Sequence, residues 1–132
     1  MGKVQSIACD FCQMYPESVE HLFYECMQVK NLWLKLIDYF NVYLNSQVVI
    51  TCKEVLLIVN SHCEMVNDCL NMLCLYGKKY IMVCKLQKSL PTMKMFVTYM
   101  DDKIKIIKQT HCKYREKYNV ISDFINYVNL NL

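Results

Sequence analysis

Residues 9–40 read CDFCQMYPESVEHLFYECMQVKNLWLKLIDYF, and two patterns overlap there. The first is Cys9-x2-Cys12, then eight residues, His21, four residues and Cys26. A C-x2-C turn lets two thiolates converge on one ion while a returning segment supplies two further donors, the tetrahedral nitrogen and sulfur set that zinc takes. With nine cysteines in the chain, a C-x2-C pair alone is near its chance expectation. A histidine four residues before a third cysteine makes the array far more specific. The competing reading treats Cys9, Cys12 and Cys26 as small buried hydrophobes and His21 as an ordinary helix residue. The irregular N-terminal stretch that carries these residues has few large apolar residues to hold it together, which favours one Zn2+ bound by all four. The second pattern is a stripe of Val29, Leu32, Trp33, Leu36, Ile37 and Phe40 at i, i+3, i+4 and i+7, one face of a helix.

Further along, residues 41–51 carry turn formers and β-branched residues, so a loop or short extended segment is expected. Thr51 is placed to cap a short helix through Lys53, Glu54 and Leu57. Val66, Cys69, Leu70, Leu73, Tyr76, Tyr80, Ile81 and Cys84 predict a second long helix, with Gly77 inside it at a cost of about 1 kcal/mol. Pro91 ends that helix, and Thr92 caps a third running through Met93, Phe96, Val97, Met100, Ile104 and Ile107. A last helix covers Tyr118 to Val128. The fold class is therefore mainly α: a small N-terminal CCHC zinc-binding knuckle followed by a bundle of about four helices. Residues 1–45 form the zinc-binding segment with its following helix, and residues 46–132 a basic helical tail.

Composition bounds the function. The chain has 132 residues with only 2 Gly and 2 Pro, 55% hydrophobic and 20% charged, which excludes a disordered or collagen-like polypeptide. No apolar run is long enough for a membrane helix, and no signal peptide is recognisable, so an intracellular protein with reduced thiols is expected, in nucleus or cytoplasm, with no membrane partner. The net charge of +3 hides a division: residues 1–77 carry four Lys against eight acids, whereas residues 78–118 carry eleven Lys or Arg against three. An acidic block followed by a basic one of net +8 is the asymmetry of a chain with one face turned to polyanion, although a solvated lysine-rich helix face has the same composition.

Two other constellations carry less. His62, Cys63, Cys69 and Cys74 lack metal-ligand spacing, and Cys69 and Cys74 belong to an apolar helix stripe, so they read as core. Tyr99-Met100-Asp101-Asp102 spells the metal-binding tetrapeptide of reverse transcriptases. It lies in a helix-periodic stretch, in a chain too short for a palm and fingers, so Asp101 and Asp102 read as a solvated helix face.

Cys9-x2-Cys12, Glu20-His21-Leu22-Phe23-Tyr24-Glu25-Cys26 and Leu32-Trp33 together resemble the zinc-binding segment that follows the polymerase in LINE-type (non-LTR) retrotransposon reverse transcriptases. Tyr76-Gly77-Lys78-Lys79-Tyr80-Ile81, Cys84-Lys85, Pro91 and Phe96 are similar to the helical tail downstream of it. The resemblance spans about residues 9–115. It departs at Gln13, where the family often has Gly, and at Asp123-Phe124, where the family often has a Lys-Trp pair. The resemblance implies a non-catalytic module for nucleic acid, RNA or single-stranded DNA, cut off from its polymerase and endonuclease, with enzymatic activity in those absent domains. Lys78, Lys79, Lys85, Lys88, Lys94, Lys103, Lys105, Lys108, Lys113, Arg115 and Lys117 are the candidate phosphate contacts. Tyr76, Tyr80, Tyr99 and Tyr114 are interspersed among them and can stack on unpaired bases, although Tyr76 and Tyr80 also fit a core stripe. The alternatives are a structural or protein-interaction domain that docks on the absent polymerase, and a decayed copy without function.

Overall fold

The computed structural model describes residues 7–110 and 115–132, the side chains of 115–117 excepted. Among them the only β feature is an isolated bridge between Ala8 and Pro16; the rest is helix and connection. A π-helical turn, His21–Glu25, leads into α1 (Met27–Leu44), followed by α2 (Cys52–Leu56), α3 (Glu64–Gln87), α4 (Met93–Thr110) and α5 (Arg115–Leu130). The four long helices are the four of the expected bundle, and the knuckle sits at its N-terminal edge. No helix among the described residues is long and apolar enough to cross a membrane.

The buried face of α1 consists of the six residues of its sequence stripe, Val29, Leu32, Trp33, Leu36, Ile37 and Phe40. Phe40 meets Phe124 of α5 edge-on with ring centroids 5.4 Å apart, and Tyr80 of α3 meets Phe96 of α4 at 5.6 Å. Ile121, Phe124, Ile125 and Val128 form the buried stripe of α5, so Asp123-Phe124 lies within a well-packed helix. One contiguous set of buried side chains runs from Cys9 in the knuckle to Val128.

Connections are held by single polar side chains. Thr51 and Glu54 form a reciprocal capping box at the start of α2. The Thr92 hydroxyl accepts from the Met95 N–H at 3.2 Å, opening α4 where expected, while Pro91 lies buried just before the cap rather than in the first turn. The Tyr80 hydroxyl accepts from the Thr92 N–H at 3.1 Å and donates to its carbonyl at 3.3 Å, fixing the α3–α4 connection. Residues 41–44, expected in a loop, continue α1. The Asn41 side chain then orders the connection to α2, accepting from the Val48 N–H at 2.7 Å and donating to the Val48 carbonyl at 2.9 Å.

Gly77 is a correction to the reading of a tolerated defect. A methyl group built on it would overlap Trp33 Cη2 and lie 2.9 Å from Cζ3, so the absence of a side chain makes room for the indole. Trp33 is 1% exposed, and its Nε1–H donates to the Phe23 carbonyl in the π turn at 2.7 Å. One side chain thus joins the knuckle, α1 and α3. Helix propensity favours alanine over glycine by about 1 kcal/mol, but overpacking costs about 1–3 kcal/mol. Gly77→Ala is expected to lower stability in urea unfolding, and a gain would contradict the packing account.

Candidate metal centre

The knuckle is a short folded loop. The Cys9 N–H donates to the Tyr15 carbonyl and the Glu17 N–H to that of Ile7, at 2.9 and 2.8 Å, drawing the two arms together. The Gln13 N–H closes the C-x2-C turn on the Cys9 carbonyl at 2.9 Å, and Gln13 takes φ 60°. That is the left-handed region, where a residue with a Cβ pays about 1–2 kcal/mol and glycine does not. Gln13 is therefore accommodated at a cost that glycine would not pay, partly offset by a hydrogen bond from Gln13 Nε2 to the Asp10 carbonyl at 3.2 Å.

The returning segment solves a spacing problem. In an α-helix, residues five apart lie about 140° from one another around the axis, too far to share a ligand. Here the Cys26 N–H bonds to the His21 carbonyl at 2.8 Å, the wider i to i+5 closure of a π turn, which swings His21 and Cys26 towards a common point. Ser18 anchors the turn, its hydroxyl accepting from the His21 N–H at 3.0 Å. The H-x4-C interval, out of step with a 3.6-residue period, was the signal in the sequence for this turn.

The ligand atoms of Cys9, Cys12, His21 and Cys26 all lie within 4.8 Å of one another. Thiolates about 2.3 Å from a tetrahedral ion stand about 3.8 Å apart, and an imidazole nitrogen stands slightly closer to a sulfur. Cys9 Sγ and Cys26 Sγ are 3.8 Å apart, and Cys12 Sγ and His21 Nε2 are 3.3 Å apart. The four donors thus fit a tetrahedral metal ion, and four protein ligands leave no open position for substrate, the arrangement of a structural site. His21, Cys9 and Cys26 are buried and Cys12 is half-buried. Burial pushes the Cys26 thiol up to about 11, with Cys9 beside it acting in the same direction. The Met14 N–H, helped by His21 and the Tyr15 N–H, draws Cys12 down to about 6 against partial desolvation. A cation among them favours thiolates, so metal binding releases protons.

Among the described residues this is the one cluster of His, Cys, Asp or Glu arranged to hold a metal. Cys69 and Cys74 are core residues of α3, and burial raises them to about 11 and about 12. His62 and Cys63 are exposed before α3. His111 and Cys112 lie outside the described residues. Asp101 and Asp102 lie on α4 as expected, with Asp101 paired to Lys105 at 2.9 Å.

The basic residues divide. Lys79, Lys88, Lys94 and Lys105 are exposed, and Lys108 is half-buried. Lys88 also caps α3 in a left-handed conformation. Lys78 is half-buried, 3.4 Å from the Leu56 carbonyl. Lys113 and the side chains of Arg115 and Lys117 lie outside the described residues. Lys85 requires correction, because it faces the knuckle: its ammonium lies 2.6 Å from each Glu17 oxygen and 2.9 Å from Asp10. Glu17 and then Asp10 hold its pKa above the ordinary lysine value. Its charge is thus engaged in joining the end of α3 to the loop that carries the ligands, rather than free for phosphate.

Comparison with protein-family models, curated proteins and solved structures gives no match. Fold and site together define a mainly helical chain with a closed Cys3His candidate metal centre.

Two substitutions probe this geometry. Lys85→Met removes partly exposed ion pairs worth about 1 kcal/mol and is expected to weaken metal retention about fivefold in chelator competition; unchanged retention would show the clamp to be idle. Gln13→Gly relieves the left-handed strain and is expected to raise metal-bound stability by up to about 1 kcal/mol in urea unfolding. A loss would mean that the Gln13 side chain contributes more than its backbone costs.

Proposed function

We propose that the chain is a zinc-ordered, non-catalytic nucleic-acid-binding module of the kind found C-terminal to the polymerase in non-LTR retrotransposon reverse transcriptases, acting inside the cell, in nucleus or cytoplasm. The observation that carries this reading is the convergence of Cys9, Cys12, His21 and Cys26 on one point with separations suited to a tetrahedral ion. Three thiolates and one imidazole are a zinc donor set. When bound, zinc supplies a positive centre that holds the buried thiolates together. The chain's own residues then present the basic helices.

The second half of the reading is supported by the charge of residues 78–118, net +8, and by the exposure of Lys79, Lys88, Lys94 and Lys105. Flexible exposed ammonium groups suit phosphate contacts that carry affinity without reading sequence. RNA and single-stranded DNA share that backbone charge. A docking role on a polymerase is the alternative, favoured by Leu75, Met82 and Leu86, which lie exposed along one face of α3.

Fluorescence anisotropy of the zinc-loaded protein with labelled RNA and single-stranded DNA tests the proposal. For about five phosphate contacts on a single strand, a fourfold rise in salt is expected to lower affinity about a hundredfold. Absent binding, or affinity indifferent to salt, would overturn the nucleic-acid reading in favour of docking.

A further inference from the structure

Two tyrosines from two helices, Tyr76 of α3 and Tyr99 of α4, are half-buried against the core. Their hydroxyls take no hydrogen bond among the described residues, yet no buried side-chain polar atom lacks a partner, so each hydroxyl reaches solvent. Tyr99 meets Tyr80 with ring centroids 5.7 Å apart, and Tyr76 lies one turn before Tyr80 on the same face of α3, which brings Tyr76 and Tyr99 to one surface. The Lys79 ammonium stands over the Tyr76 ring at 5.1 Å from its centroid, and Lys103 over Tyr99 at 5.3 Å. Tyr80 next to them differs: it is buried, and its hydroxyl is tied to Thr92.

Resting on the nucleic-acid reading above, we propose that Tyr76 and Tyr99, flanked by Lys79 and Lys103, form the contact site for single-stranded nucleic acid. Unpaired bases stack on the Tyr76 and Tyr99 rings. The two ammonium groups swing from ring face to phosphate. Each part has a physical reason. Anchoring to the core limits the ring motion lost on binding, and every base has a π face, so stacking is tolerant of sequence. Lys79 is exposed and Lys103 half-buried, and an ammonium–ring contact that is not fully desolvated is weak, so a phosphate competes well for the cation. Asp101, the acid nearest Tyr99 on its C-terminal side, is already paired with Lys105. A duplex hides its base faces, so the site selects single strands.

The test is anisotropy of the zinc-loaded full chain with labelled oligo(U) and oligo(dT) of about twelve nucleotides, and with a duplex of equal length. Tyr76→Leu and Tyr99→Leu are each expected to weaken single-strand binding about tenfold without changing its salt slope, whereas the Phe variants at both positions retain it. Lys79→Ala and Lys103→Ala reduce the salt slope, each by about 0.7. Tyr43→Leu, removing a tyrosine of α1 outside the patch, leaves affinity unchanged. Circular dichroism melts confirm that each variant is folded, and photocrosslinking of 5-iodouridine RNA to the unmodified protein, expected at Tyr76 or Tyr99, answers the question without substitution. Salt-dependent binding by the unmodified chain that survives both Leu variants within twofold, with crosslinks elsewhere, would overturn this site and leave the broader function standing. Failure of the unmodified chain to bind either oligonucleotide at low salt would overturn both.

Discussion

The Trp33 indole, seated over Gly77 and donating its N–H to the Phe23 carbonyl, is the contact on which the rest of the structure depends. Its ring fills a space between α1 and α3 that exists only because residue 77 has no side chain. Its polar edge satisfies a carbonyl of the turn that positions His21. A buried tryptophan contributes through area, and removal of one from a core costs about 3–5 kcal/mol. Here the same residue also couples two kinds of order, the packing of long helices and the geometry of a metal-ligand loop. Lys85 makes a second connection between the same two parts, from the C-terminal end of α3 to Asp10 and Glu17. The knuckle is thus tied to α3 at two places.

The ligand loop illustrates how a small metal site is assembled from local backbone choices. Cys9 and Cys12 approach through a turn closed by Gln13 in the left-handed region, and His21 and Cys26 approach through a π turn. Neither conformation is the most comfortable one for its sequence. Both become worthwhile where a cation joins four donors, since binding free energy in such a site is also folding free energy. Burial of Cys26, which disfavours its thiolate, points the same way.

Much of this was legible in the residues. The α1 stripe from Val29 to Phe40 read correctly because one helix face repeats every 3.6 residues whatever it packs against. The Thr51 and Thr92 caps were visible because their hydrogen bonds are local. The grouping of the four ligands could be anticipated from donor chemistry and spacing. What escaped the reading depends on neighbours distant in sequence. Gly77 looked like a weakness because propensity is blind to an indole 44 positions away. Lys85 looked like a phosphate contact because its carboxylate partners, Glu17 and Asp10, lie on the other side of the charge division. The same division that suggested a polyanion face therefore also serves an internal ion-pair cluster. Of the tyrosines, Tyr80 proved to be a core residue with a structural hydroxyl, whereas Tyr76 and Tyr99 keep a solvent edge; helix spacing alone does not separate the two.

On the proposed reading, one zinc ion and the Trp33 packing order the knuckle against the bundle as a single unit. Trp33 is the only tryptophan, so its emission reports this junction alone. The most direct measurement follows that emission during chelation, with zinc counted by native mass spectrometry on the same sample. One zinc per chain is expected and, as it is withdrawn, a shift of Trp33 emission to longer wavelength as water reaches the indole. A chain that binds no zinc, or one whose Trp33 emission is indifferent to losing it, would rule out a zinc-ordered junction.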